Sequence, residues 1–323
     1  MRIALSILFL TLFLQMPGWA QETVALGLKG QVHTVLTEDF AAEDAVHREP
    51  TGSTLDVYDP KGYQLEYFRY KPDGSLEAQT VYTRNGSQLL KIQTTGTAPG
   101  ESNSTQYVFD AEGRVVETDT YDENGALVSK LTNELVQKQG NSIMYHRREI
   151  SANGSESLAE VSETIDPQTG ITHQVQTRNG KPDTDWVIQR NADGTGRDKI
   201  VYGNGSYNER EWRSDGTTFE DRYSAETKSH TYQRSDARGN LIEVVGKSDS
   251  YFIRSTYSFD KEGRPTGQIN YDASGNILEQ STVEYRDDSR GNWVEKKTIV
   301  WNTATEPMQP KMVGISLRTI NYY

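Results

Sequence analysis

Cysteine is absent from all 323 residues. That excludes disulfide staples, thiolate metal sites, cysteine nucleophiles and lipid attachment through cysteine. Basic residues are scarce relative to acids, 34 against 46, giving a net charge of −12. No general nucleic-acid interface is expected from such a balance, because phosphate needs a basic footprint. Beyond residue 20 there is no run of about 18 apolar residues, so no later segment reads as a spanning helix. Gly-x-Ser-x-Gly, a phosphate loop and His-Glu-x-x-His are all missing. The five histidines, His33, His47, His146, His173 and His230, neither pair at metal-ligand spacing nor adjoin a nucleophile motif. The chain reads as non-enzymatic, with no cofactor and no metal centre. Apolar residues make up only 34% and the mean hydropathy is −0.74, too little for a thick globular core.

What is present begins with an address. Met1 and Arg2 precede an apolar run from Ile3 to Leu14, Pro17 and Gly18 break any helix, and Gly18 and Ala20 set small residues at −3 and −1. Residues 1–20 are therefore expected to be a secretory signal cleaved after Ala20. The mature chain, 21–323, then reads as one exported domain that does not span a membrane, periplasmic or secreted, as is typical of cysteine-free bacterial proteins. Its best internal seam lies near 95–104.

The mature sequence repeats one device. Tyr58-Asp-Pro-Lys-Gly62, Tyr70-Lys-Pro-Asp-Gly74 and Tyr82-Thr-Arg-Asn-Gly86 recur every 12 residues. So do Phe109-Asp-Ala-Glu-Gly113 and Tyr121-Asp-Glu-Asn-Gly125, and Phe259-Asp-Lys-Glu-Gly263 and Tyr271-Asp-Ala-Ser-Gly275. The aromatic ends a strand. Asp59, Asp110, Asp122, Asp260 and Asp272 are placed to accept from turn amides. Gly62, Gly74, Gly86, Gly113, Gly125, Gly263 and Gly275 supply the positive φ of a type I turn followed by a bulge. Between turns, segments such as Leu76-Glu-Ala-Gln-Thr-Val-Tyr82 alternate with period two: Leu76, Ala78, Thr80 and Tyr82 share a face, and Glu77 and Gln79 take the other. Longer gaps carry their own midpoints at Gly96–Gly100, Gly140 and Gly246-Lys-Ser-Asp. Thr37–Glu49 reads either as one short helix or as an irregular or extended loop. The expected fold is all-β, an antiparallel meander of about 20 short strands. An open sheet that wide would curl or split, so a curled, wrapped or stacked sheet follows.

Gly113-Arg-Val-Val-Glu-Thr-Asp-Thr-Tyr-Asp-Glu-Asn-Gly125 and Gly263-Arg-Pro-Thr-Gly-Gln-Ile-Asn-Tyr-Asp-Ala-Ser-Gly275 resemble YD repeats of the Rhs/YD-repeat family. Gly27-Leu-Lys-Gly30, Gly291-Asn-Trp293 and Arg318-Thr-Ile-Asn-Tyr-Tyr323 look like parts of small secreted bacterial YD-repeat proteins. The resemblance implies sheet that wraps, sometimes as a shell around a toxin, and cell-surface or carbohydrate interaction.

For chemistry, the 46 acids allow a carboxylate pair at glycosidase distance without singling one out. Asn191-Ala-Asp-Gly194 with Asp198, and Asp287-Asp288, gather oxygens that would suit structural calcium, without a calcium-repeat pattern. Trp186, Trp212, Trp293, Trp301 and 18 tyrosines offer flat rings for cross-strand ladders or for stacking on sugars and protein partners. The leading expectation is a non-catalytic repeat protein whose broad β surface binds a protein or an envelope polysaccharide. A two-carboxylate carbohydrate hydrolase, and a shell or immunity partner of a secreted toxin, are the alternatives.

Overall fold

The structure is a computed structural model and describes residues 26–42, 48–111, 113–178, 180–303 and 308–323. The expected signal with its cleavage after Ala20, and His47, lie outside the described residues. Among the described residues twenty-two strands succeed one another, the first seven being β1 (Val32–Ala42), β2 (Arg48–Tyr58), β3 (Gln64–Tyr70), β4 (Leu76–Asn85), β5 (Gln88–Gly96), β6 (Asn103–Phe109) and β7 (Val115–Tyr121). Then come β8 (Leu127–Gln139), β9 (Ser142–Ser151), β10 (Glu156–Ile165), β11 (Thr172–Arg178), β12 (Lys181–Arg190), β13 (Gly196–Tyr202), β14 (Tyr207–Trp212) and β15 (Thr218–Ser224). The last are β16 (Ser229–Ser235), β17 (Leu241–Lys247), β18 (Phe252–Phe259), β19 (Pro265–Tyr271), β20 (Ile277–Asp287), β21 (Trp293–Asn302) and β22 (Gln309–Tyr322). Each pairs antiparallel with the next, and β1 pairs with β22 from Val32↔Tyr322 to Ala42↔Val313. The meander is therefore a single closed up-and-down barrel, not an open curled or stacked sheet, and no described residue is helical.

The repeat explains the curvature. At Tyr58, Tyr70, Phe109, Tyr121, Phe259 and Tyr271 the register shifts by one residue beside the aromatic that precedes each turn. A bulge there bends the strand and increases its twist. Repeated around the sheet, such bends turn a ribbon into a ring, and β1–β22 pairing removes both edges.

Three sequence expectations need correction. Thr37–Ala42 is strand, the second half of β1, rather than helix or loop; its alternation is held from both sides by β2 and β22. Tyr82 does not end β4. The strand runs on to Asn85, and Gly86-Ser87 forms a two-residue hairpin with Gly86 first, at φ +60°. Gly246 is likewise inside β17, and the chain reverses after it through a Ser248 N–H to Tyr251 carbonyl bond. Beside residues 95–104, β5 and β6 pair over four residues, from Lys91↔Gln106 to Thr94↔Asn103.

Cross-strand register carries one face around the ring, for example Val35↔Asp56, Asp56↔Tyr67, Tyr67↔Thr80 and Thr80↔Thr94. Ala78, Thr118, Ala159, Val161, Gln176, Glu220, Ser255 and Ser316 are all buried and all on this face, as expected for a concave wall whose side chains converge. It is the inner wall. At about 4.8 Å per strand a round ring of this size is about 34 Å across even before strand tilt, whereas packed sheets touch at about 10 Å. The inward side chains thus line a hollow.

The largest buried apolar cluster sits at the closure. Val32, Val35 and Tyr58 pack with Leu28, Ile320 and Tyr322. Beside them Asn292, 3% exposed, accepts from the Lys29 N–H (2.7 Å) and donates to the Lys29 carbonyl (2.8 Å) and the Tyr322 hydroxyl (2.7 Å). The Tyr323 hydroxyl donates to the Tyr58 carbonyl at 2.6 Å. Arg318 stacks on Trp293 at 3.6 Å.

Candidate functional site

The residues singled out as turn formers lie at the two mouths of the barrel. Asp59, Gly62, Gly86, Asp110, Gly113, Asp260 and Gly263 occupy one rim, together with the closure; Gly74, Asp122, Gly125, Asp272 and Gly275 occupy the other. Asp59 Oδ1 accepts from the Lys61 and Tyr63 amides at 2.8 and 3.0 Å. Asp110, Asp122, Asp260 and Asp272 likewise accept, through Oδ1, from the amide four residues on. In the β3–β4 turn Asp73 does this instead, accepting from Ser75. Gly125 has φ +76° and open space where a Cβ would stand. Gly125→Val is therefore expected to lose about 1–3 kcal/mol through backbone strain alone, while Gly125→Asn, which tolerates that region, loses little; urea unfolding of the two variants distinguishes strain from contact.

The densest chemistry is on the inner wall from β12 to β15, where the pairings carry no bulge. Alternation brings Trp186 and Arg190 of β12, Asp198 and Ile200 of β13, Arg210 and Trp212 of β14, and Glu220 and Arg222 of β15 onto that face. Arg190 lies over the Trp212 ring at 3.1 Å, and Arg210 at 5.7 Å. A Cβ on Gly196 would stand 2.3 Å from the Gln189 carbonyl, so glycine is what lets β13 run this close to β12. Arg210 bonds Glu220 at 2.8 Å and Arg222 bonds its other oxygen. Glu220 is 6% exposed. Burial alone would raise its pKa, but Arg222 and Arg210 outweigh it and hold the carboxyl below its usual range. Asp198 goes the other way: burial raises it against the pull of Arg210 and Arg190. Trp212 was legible as a flat ring; Arg190, Arg210 and Glu220 were not, because their meeting depends on which strand neighbours which.

The calcium candidates are not brought together. Asp193 caps its own turn by accepting from Thr195, while Asp198 sits on the inner wall. Asp287 pairs with Arg264 at 2.5 Å, and Asp288 caps its turn and accepts from Tyr322. Among the described residues no three His, Asp or Glu side chains are grouped to hold a metal.

The outer wall is charged at mid-strand. Lys130 reaches Glu117 at 2.7 Å, Lys199 reaches Glu209 at 3.2 Å, and Arg254 reaches Glu243 at 2.7 Å, each across neighbouring strands. Between them runs an aromatic ladder over β14–β16: Tyr207, Tyr223, His230 and Tyr232, with His230 parallel to Tyr232 at 5.5 Å. Burial, then its bond to Asp221, pushes Tyr207 up to about 12. His173 pairs with Asp185 at 2.8 Å and His33 packs on Tyr323.

In class, then, the molecule is a hollow, closed antiparallel barrel with polar walls. No protein-family model matches the chain, and no curated protein matches it. The resemblance to YD repeats accordingly rests on the turn strings themselves. Among solved structures, a porin-like protein from Bacteroides uniformis is similar at 13% identity and a TM-score of 0.32, covering 91% of this chain and 99% of that one. A Tc holotoxin pore from Photorhabdus luminescens is similar at 10% identity and a TM-score of 0.26, covering 80% of this chain; the match spans 17% of that chain.

Proposed function

We propose that this is an exported, non-catalytic barrel whose polar inner wall binds a polysaccharide of the bacterial envelope. The observation that carries this reading is the lining. Small closed barrels usually fill their interiors with apolar side chains. Here the wall presents Thr, Gln, Arg and Trp side chains to an open lumen, and hydroxyl-rich ligands are recognised by such donors combined with flat rings. The Trp212 ring, held in place by Arg190, is the anchor. A bilayer-spanning role is disfavoured because Lys130, Glu117, Arg254 and Glu243 lie where a lipid-facing band must be apolar.

A glycosidase reading draws on the opposite pKa directions of Asp198 and Glu220. Yet Arg210 stands opposite both on the neighbouring strand, and Glu220 is taken by two guanidiniums. A base so neutralised is poorly suited to proton transfer. The test is a glycan array followed by calorimetry. A polysaccharide ligand is expected, with Trp212→Ala weakening binding by about tenfold or more and no release of reducing ends. Silence across the array from a folded monomer would overturn the reading.

A further inference from the structure

Most arginines on the inner wall face a carboxylate or an aromatic ring. Arg210 and Arg222 share Glu220; Arg190 and Arg318 lie on tryptophans. Arg147, in the middle of β9, has neither. Its Nε donates to Asn133 Oδ1 at 3.2 Å and its Nη1 to Gln176 Oε1 at 3.3 Å, both neutral amides. Glu149, two residues on along the same face, attracts it without coming within ion-pair distance, and burial depresses its pKa. A partly buried guanidinium whose hydrogen-bond partners are all neutral is less well compensated than one paired with a carboxylate.

A second arginine and a phenol stand beside it. Arg147 and Arg178 both pair with Ala159, one from each side, so their side chains flank that buried methyl group on the inner wall. Arg178 donates to Ser157 at 2.5 Å and, at 3.4 Å, to the Asp183 carboxylate, which also accepts from Gln176 at 2.6 Å. Tyr145, on the same strand and face as Arg147, accepts from Gln174 at 2.9 Å, which leaves its own proton without an acceptor among the described residues. Glu163 lies on this face two pairs along, and burial raises its pKa. Asp183 also lines an open cleft of about 570 Å³ at the rim, with Pro182, Tyr202, Gly203, Asn204 and Ser206.

We propose that Arg147, Arg178 and Tyr145 form an oxyanion-binding site on the inner wall, suited to the carboxylate of an acidic sugar. This rests on the polysaccharide reading and narrows it: the glycan is a uronate-bearing one whose acid is held at Arg147. A planar guanidinium matches a carboxylate bidentately, which neutral sugars cannot exploit.

The test titrates galacturonate trimer, a neutral galactose trimer and sodium sulfate at constant ionic strength into the full chain. The acidic trimer is expected to bind about tenfold more tightly than the neutral one, a difference of about 1.4 kcal/mol. Arg147→Gln and, separately, Arg178→Gln are expected to erase that preference without changing neutral-trimer affinity. Without ligand, Arg147→Gln should melt at the wild-type temperature or above, so failure to fold does not confuse the result. Sulfate should raise the melting temperature of the wild type and not of Arg147→Gln. Sulfate protection without any sugar binding would sustain the oxyanion site and remove the polysaccharide reading. Sugar binding that depends on Trp212 but is untouched by Arg147→Gln would remove this site and leave that reading standing.

Discussion

Ending the chain after Leu317 is expected to open the barrel. Arg318–Tyr323 supply the pairing of β22 with Val32–Thr37, the Ile320 and Tyr322 contacts of the closure core, and the Tyr323 bond to the Tyr58 carbonyl. Losing two partly buried large side chains and several satisfied hydrogen bonds amounts to on the order of 5 kcal/mol. The freed β1 edge then offers unpaired backbone groups to other copies. Urea unfolding and small-angle scattering would show a lower midpoint, a larger radius and concentration-dependent association. An unchanged radius and midpoint would mean that the ring does not depend on this seam. Asn292→Ala is the milder version: it leaves the Lys29 amide and carbonyl and the Tyr322 hydroxyl without their buried partner, a loss of about 2–3 kcal/mol.

Glu220→Ala is the second large effect. Removing a buried carboxylate strands two guanidiniums, which costs about 3–5 kcal/mol in a fully buried pair. Arg222 is half exposed and Arg210 about one-third exposed, so screening reduces the expected loss to about 2–3 kcal/mol. The pH dependence follows from the sign of the shift. Glu220 has a folded pKa below its ordinary 4.5, so its contribution is full above about pH 4.5 and is lost as the pH falls through its lower folded value. Asp198, raised above 3.8 by burial, contributes fully below that value and loses its contribution as the pH rises through its raised one. Unfolding curves between pH 3 and 7 should therefore show Glu220→Gln losing less stability on acidification than the wild type. Parallel curves would show that the Arg210–Glu220–Arg222 bridge is not what ties stability to pH.

The turns were legible because they are local. An aromatic, an aspartate and a glycine within five residues decide a chain reversal through one side-chain acceptor and one positive φ, as at Asp122 and Gly125. The face assignment of Ala78, Thr80 and Tyr82 was legible for the same reason, since alternation needs only neighbours in sequence. Gly86 shows the limit: Tyr82-Thr-Arg-Asn-Gly86 copies the spacing of the other turns, yet the chain continues to Asn85 because β5 supplies partners that far.

From sequence alone the chain was set to be a long antiparallel meander with polar faces and little core. Whether it closes was decided only in three dimensions, since closure adds up small bends over the whole ring and then joins residues such as Thr34 and Asn321 that no local pattern links. The same holds for Arg147 and the Glu220 bridge. Their environments are set by side chains from three adjacent strands, and burial of charge is a property of the wall rather than of the string.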